Sequence, residues 1–330
     1  MFDIISFGSG TQDIFIQSKN FTFLKDKSFV SGQGLCVGAG SKFYVDQMLT
    51  MIGGCGVNTA FTFVLQGLAT AYCGKIGQDL AGRQILEELI KVGVTTDWVV
   101  KTDNLATSQS IILTVPNKER TILIYRGASN SLTEQDINWD ELKNAKWFYV
   151  GPMSGDCAPL FAKLFGFAQE NNIQVSTNLG ASQIKMGLEK LRSLLNLPVV
   201  KIVNLNQEEA ARLTDVDFKN EKKIFKILDE VVDGIVIMTK GSGGVVVSDG
   251  EYLYSAGVPQ AGYLDRTGAG DAFGSGFTAA IMRGKPIEWA IQLATANATG
   301  CVQELGATNG LLKKDDFGLW PKVTVSKMKI

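Results

Sequence analysis

Val200-Lys201-Ile202-Val203-Asn204 is a short apolar run, and two residues later Gln207 opens a helical pattern that extends to Leu213. A buried strand passing almost directly into a helix is the repeating unit of a parallel sheet. The same unit recurs on both sides. Residues 147–150 read as a strand and 157–169 as a helix, then 174–177 as a strand and 187–194 as a helix. Residues 221–231 and 234–238 continue the series as helix and strand. Alternation of this kind predicts an α/β fold, a doubly wound and mainly parallel sheet with helices on both faces. Residues 245–247 and 252–255 predict an antiparallel hairpin at the sheet edge. Helices over 269–283 and 287–303 close the pattern.

Towards the N-terminus the rhythm changes. Residues 3–7 predict a first strand that turns at Gly8-Ser9-Gly10. Residues 53–68 predict a glycine turn running into a helix, with Asn58 in its first turn. A strand at 71–73 and an amphipathic helix at 81–92, stopped by Gly93, follow. Residues 15–52 show no helical period and suggest short strands and turns, and 108–125 alternate around Pro116-Asn117 like a hairpin. The chain therefore divides into a core (1–13, 52–106 and 127–330) and a small β-sheet lid (14–51 and 107–126). One small sheet cannot bury both faces alone. Its apolar residues, including Phe29, Phe43, Ile112 and Ile124, are expected to cover a site and to pair with a second copy as a homodimer. Phe43, Tyr44 and Met48 read as packing within this lid, and Arg120 and Arg126 as surface charges.

Composition narrows the chemistry. Of 330 residues, 45% are hydrophobic, ample for a large core, and the net charge of −1 has no basic patch, which argues against nucleic acid. The apolar N-terminus lacks the basic flank of a signal peptide, and no window approaches the uninterrupted apolar length of a membrane span. The five cysteines are scattered without a C-x-x-C pair, which fits a reducing cytoplasm. The chain has no histidine. Acid–base chemistry must then rest on carboxylates, Lys, Tyr or Cys.

The run most informative about chemistry is Asp265-Arg266-Thr267-Gly268-Ala269-Gly270-Asp271-Ala272-Phe273. Its glycines allow a turn whose amides converge at a helix N-terminus, an anion hole. Asp271, on the first helical turn, would sit beside that hole. The pairing suits phosphoryl transfer to a hydroxyl, with the amides holding the transferring group and Asp271 taking the proton. The plainer alternative is a glycine loop with Asp271 capping the helix. Gly8-x-Gly10 suggests a dinucleotide fingerprint, but its third glycine is replaced by Asp13. No Walker A sequence occurs.

The nine-residue run resembles the C-terminal signature of the ribokinase-like (PfkB) carbohydrate kinases. Three further patterns of that family appear in order: Gly53-Gly54-Cys55-Gly56-Val57-Asn58 continuing to Gly74-Lys75-Ile76-Gly77-Gln78-Asp79, then Asn206-Gln207-Glu208-Glu209, then Thr239-Lys240-Gly241-Ser242-Gly243. Arg266 departs from the family, which more often has a small hydroxyl residue there. The resemblance implies Asp271 as base and the amides of Gly268, Ala269 and Gly270 as anion hole. It implies Asp13, Gly53, Gly54 and Asn58 as acceptor-binding residues. Asn178, Asn206, Glu209, Thr239, Gly241 and Asn297 would serve the nucleotide and its phosphates, Glu209 holding Mg²⁺ through water and Asn297 lying near adenine. Asp265, Thr267, Val302 and Gly306 would form a monovalent-cation site for K⁺. The implied activity is ATP-dependent phosphorylation of a small sugar of the ribose, fructose or ketodeoxygluconate type. A nucleoside kinase is the alternative, and a non-catalytic ligand sensor, which would have no need of Asp271, a more distant one.

Overall fold

The computed structural model describes residues 1–29, 31–115 and 120–330. The first half of the chain forms β1 (Phe2–Phe7), β2 (Thr11–Gln17), β3 (Thr22–Lys25), β4 (Gln33–Cys36), β5 (Gln47–Gly53), α1 (Cys55–Leu65), β6 (Thr70–Gly77), α2 (Leu80–Val92), β7 (Val99–Thr102), β8 (Ser108–Thr114), β9 (Thr121–Tyr125), α3 (Trp139–Leu142) and β10 (Ala145–Val150). The second half forms α4 (Ala158–Glu170), β11 (Gln174–Asn178), α5 (Ala181–Met186), α6 (Leu188–Leu195), β12 (Val200–Asn206), α7 (Gln207–Thr214), α8 (Glu221–Asp229), β13 (Ile235–Thr239), β14 (Val245–Ser248), β15 (Tyr252–Ala256), α9 (Ala269–Met282), α10 (Ile287–Gln303) and β16 (Val325–Lys329).

Ten strands build the main sheet in the order β16-β15-β14-β13-β12-β11-β10-β1-β6-β7. From β13 to β7 the pairing is parallel, and β14 to β16 add antiparallel to the edge. Alternating strand residues feed opposite layers. Phe148 and Val150 pack with Phe161 and Leu164 of α4, while Tyr149 between them meets Phe63 of α1 and Ala279 of α9. Both layers are thus anchored on the same strand, as the doubly wound pattern requires. Local signals set the helix ends. Asp79 accepts the Gly82 amide at the start of α2, and Gly93 ends that helix in the left-handed conformation. The expected edge hairpin is present, but the outermost strand is β16, which brings the C-terminus back onto β15. Its short run of mixed polarity carries little signal in sequence, and β7 and α5 were likewise not anticipated.

A second sheet, β5-β2-β8-β9, stands apart, and β3 and β4 form a separate ribbon. β2 starts at Thr11 and β5 runs to Gly53, so Asp13 and Gly53 lie on this sheet rather than in the segments assigned to the core. The turn expected at Pro116-Asn117 lies outside the described residues. On the face that carries Asp13, Phe15 and Ile112 are buried. Ile124 and Phe29, expected to be covered, are exposed. Among the described residues no helix is long and apolar enough to cross a membrane.

One buried amide ties three helices together. Asn297 of α10 is fully buried; its Nδ2 donates to Ala272 O (2.8 Å) and Thr62 Oγ1 (3.3 Å), and its Oδ1 accepts the Leu312 amide at 2.8 Å. Asn297→Ala would strand those backbone partners in the interior. We expect it to destabilise the protein by about 2–4 kcal/mol, read as a lower denaturant midpoint; an unchanged midpoint would refute this structural role.

Candidate active site

The site forms where loops leave the carboxyl ends of the parallel strands, the general location of ligand crevices in open α/β sheets. There Asn178, Asn206 and Thr239 end three adjacent strands, β11 to β13. Thr239 shares a cavity wall with Ala269 and Gly270 of the glycine run leading into α9.

Gly268 is the N-cap of α9 at φ 80°, a conformation that L side chains rarely adopt, and a Cβ there would collide with Ala307. This turn starts the helix at Ala269. The amides of Gly270 and Asp271 then have no intrahelical acceptor and stay available to an anion. Asp271 is half-buried, and burial pushes its carboxyl above the usual range. Two donors oppose that shift. Asn58 Nδ2 donates to Asp271 Oδ2 at 2.8 Å, and the Cys55 thiol hydrogen-bonds the same carboxylate. Burial and the Asp271 charge raise the thiol's own pKa, which keeps Cys55 protonated as a donor. Asn58 Oδ1 is buried without a partner, an acceptor left for a hydroxyl. Sequence reasoning placed Asn58 against the acceptor and passed over Cys55, whose signal was only its place at the start of the same helix, three residues earlier.

Asp13 lies on β2 with its carboxylate against Gly53, where a Cβ would run into it. Burial, together with the charge of Asp265, raises its pKa to about 6, against an opposing hydrogen bond from Ser110. Asp265 is itself buried. Its Oδ1 receives Arg120 Nη1 at 2.7 Å, the Thr267 hydroxyl at 2.8 Å and the Thr267 amide at 3.0 Å. Arg120 is therefore no free surface charge: it joins the small sheet to the loop ahead of α9. Asp265 Oδ2 is buried and unpartnered, which fits a cation ligand. The Val302 carbonyl already accepts the Leu264 amide at 2.8 Å and the Asp265 amide at 3.3 Å, and Gly306 sits against Met51.

Two cavities flank the glycine run. One, of 330 Å³, is lined by Thr239, Gly241, Ala269, Gly270, Phe273 and Val302, together with Thr295, Ala298 and Thr299 of α10. Asn297 does not reach it. The amide points to the opposite side of α10, into the helix packing described above, which gives Asn297 a structural role and turns it away from this cavity. The residues one turn-face away were missed because a single apolar helix gives no phase by which to tell its two buried sides apart. The other cavity, of 820 Å³, lies under the small sheet among Phe15, Gln17, Leu49, Arg120, Asp265 and Arg266. Asp13 and Asp271 line neither cavity.

Asn206 and Glu209 come together at the start of α7. Glu209 Oε2 accepts the Asn206 amide at 2.8 Å and Asn206 Oδ1 the Glu209 amide at 2.9 Å, a reciprocal capping box. Glu209 is half-buried, and burial raises its pKa while Asn206 opposes the shift. Among the described residues no group of three or more His, Cys, Asp or Glu gathers. One carboxylate beside an amide suits Mg²⁺, which keeps most of its waters.

The Asp13 environment sets a test. Its folded-state pKa of about 6 lies above the ordinary aspartate value of 3.8, so the folded state binds this proton more tightly. Ionising Asp13 therefore weakens the fold progressively as pH rises from about 4 through 6. Asp13→Asn should be more stable than the wild type at pH 7 by about 1–3 kcal/mol, with the gap closing towards pH 4. Urea midpoints at both pH values check this; a less stable variant at pH 7 would show that the ionised carboxylate is held favourably.

Residues 33–314 match the model of the pfkB family of carbohydrate kinases. Adenosine kinase of Saccharomyces cerevisiae is 30% identical over 271 residues, which cover 77% of this chain and 78% of that protein. Ribokinase of Haemophilus influenzae is 29% identical over 269 residues, covering 78% of this chain and 83% of the relative. The solved structure of Arabidopsis thaliana ribokinase complexed with ribose and ATP shares the fold, with a TM-score of 0.75 at 22% identity over 94% of this chain and 96% of the other. With the family model spanning most of its length, the chain belongs to the pfkB family of carbohydrate kinases.

Proposed function

We propose that the protein transfers the terminal phosphoryl group of ATP to a hydroxyl of a small sugar. The observation that carries this reading is the pairing of Asp271, held by Asn58 and Cys55, with the unspent amides of Gly270 and Asp271 at the start of α9. Asp271 takes the acceptor's proton as its oxygen attacks the terminal phosphorus, and the amides hold the phosphoryl oxygens as charge moves. The 330 Å³ cavity, with Thr239, Gly241 and Gly270 in its wall, takes the nucleotide. Asp13 and the free Oδ1 of Asn58 bind acceptor hydroxyls, and Gly53 and Gly54 let the backbone approach the ligand. Glu209 and Asn206, with Asn178 beside them, hold hydrated Mg²⁺ and its phosphates. That ion, when bound, neutralises phosphate charge. Asp265 Oδ2 with the carbonyls around Thr267, Val302 and Gly306 is the place for K⁺.

A nucleoside acceptor is the second reading. The apolar wall of Phe15 and Leu49 under the small sheet favours it, since a base needs such a slot, as does the likeness to yeast adenosine kinase. Ribose, fructose, ketodeoxygluconate, adenosine, inosine and cytidine should be compared at equal concentration in Mg²⁺-ATP, with and without K⁺. The sugar reading expects a sugar to give the highest kcat/KM. A nucleoside ahead by tenfold, about 1.4 kcal/mol of transition-state preference, would overturn it. With the preferred acceptor, Asp271→Asn should lower kcat by about 10²–10⁴-fold with ATP affinity little changed. Near wild-type turnover in that variant would remove Asp271 as the base.

The small sheet is proposed to act as a lid and as a dimer surface. Its outer face exposes Met48, Leu123 and Tyr125, and pairing with a second copy would cover them. Light scattering at high concentration should give twice the chain mass; a strict monomer would remove the dimer and leave the lid.

A further inference from the structure

Among the described residues only Tyr263 and Arg266 line both cavities. A phosphoryl group moving from the nucleotide cavity to the space under the lid passes the boundary that these residues form. Arg266 is two residues ahead of Gly268 and exposed on the loop. Its guanidinium carbon lies 4.4 Å from the centroid of the Tyr263 ring, a stacking contact that limits its wandering without consuming its charge. Its obvious ionic partner is the adjacent Asp265, but Oδ1 of that carboxylate takes Arg120 at 2.7 Å and Oδ2 is buried without a partner. Among the described residues no carboxylate pairs with Arg266. The loop thus holds an unneutralised, oriented, planar cation beside the free amides of α9, at the junction of the two cavities.

We infer that Arg266 is a catalytic residue that contacts the transferring phosphoryl group of the bound nucleoside triphosphate. The inference rests on the kinase reading above. In the step itself the acceptor oxygen bonds to the terminal phosphorus and the bond from that phosphorus to the bridging oxygen breaks. The electron pair leaves with the nucleoside diphosphate, and the acceptor proton goes to Asp271. Negative charge is spread over the equatorial oxygens at that moment, and a guanidinium fork matches two of them. The Arg120–Asp265 pair enters as the condition that keeps Arg266 unspent. A lid arginine and a loop arginine then divide the work: one neutralises the loop's own acid, and the other faces the substrate.

The test separates the terminal phosphate from the rest of the nucleotide. Dissociation constants for ADP and for a non-hydrolysable ATP analogue, both with Mg²⁺, are measured for the wild type, Arg266→Met and Arg266→Lys. We expect Arg266→Met to bind the triphosphate analogue about tenfold more weakly, with ADP affinity within about twofold. Its kcat should fall by about 10²-fold or more, and Arg266→Lys should recover part of both by restoring the charge without the fork. Equal weakening for both nucleotides would mean a general electrostatic effect, and no change would mean no contact; either overturns the role of Arg266 and leaves the kinase reading standing. A wild-type protein that binds neither nucleotide overturns the kinase reading and this inference with it.

Discussion

Everything at this site depends on keeping a carboxylate ionised at the buried start of α9. Taking a carboxylate out of water costs several kcal/mol even after relaxation, and burial does push Asp271 towards its neutral form. Two neighbours on one turn of α1 counter that cost. Asn58 donates at 2.8 Å, and Cys55 donates a thiol hydrogen that is itself hard to remove. Hydrogen bonds to a charged acceptor contribute about 1.5–3 kcal/mol each, enough to offset much of the burial. The position of α1 follows from the same need. It packs against α9 so that its first turn meets the first turn of the other helix. The helix N-terminus that favours the carboxylate also favours an incoming phosphate, so the geometry that holds the proposed base also forms the anion site.

The lid adds a second electrostatic constraint. Asp13 and Asp265 are both buried, close enough for the charge of one to raise the pKa of the other. They are carried by different parts of the fold, one on β2 and one on the loop before α9. Arg120, at the start of β9's approach, places its guanidinium on Asp265 and so offsets the repulsion between the two acids. Without that arginine two like charges would stand together in low dielectric. The pair ties the small sheet to the loop ahead of α9.

Much of the main sheet was legible because parallel strands buried on both faces appear as continuous apolar runs, and the helices between them carry a clear period. The nine-residue run before α9 was legible because glycines and a carboxylate at that spacing have few purely structural uses. Other features were not, for reasons that can be named. β16 is short, mixed in polarity and defined by what it pairs with. Arg120 looks like a surface charge until a sheet built from distant segments brings it to Asp265, 145 residues away. Asn297 on an apolar helix offers two readings, ligand or buried amide. Only the phase of α10 chooses between them, turning Thr295, Ala298 and Thr299 to the cavity and Asn297 to the core.

The two cavities also differ in chemistry in a way that orients the proposed reactants. The smaller is walled by Gly241, Val258, Pro259, Ala261, Phe273 and Ala298, with Thr239 and Gly270 also in its lining. A flat heteroaromatic base would match the apolar part in the proposed arrangement, and free amides lie at the Gly270 end for phosphates. The larger presents Gln17, Gln33, Gln47, Arg120 and Asp265 beside Phe15 and Leu49, a wall able to hydrogen-bond hydroxyls from several directions. Phosphates placed among the apolar side chains of the smaller cavity would be desolvated at a cost that the wall does not repay. The polarity of the two walls supports the proposed arrangement, with a base on the apolar side and hydroxyls on the other; Asp13 and Asp271 line neither cavity, and Tyr263 and Arg266 stand between the two.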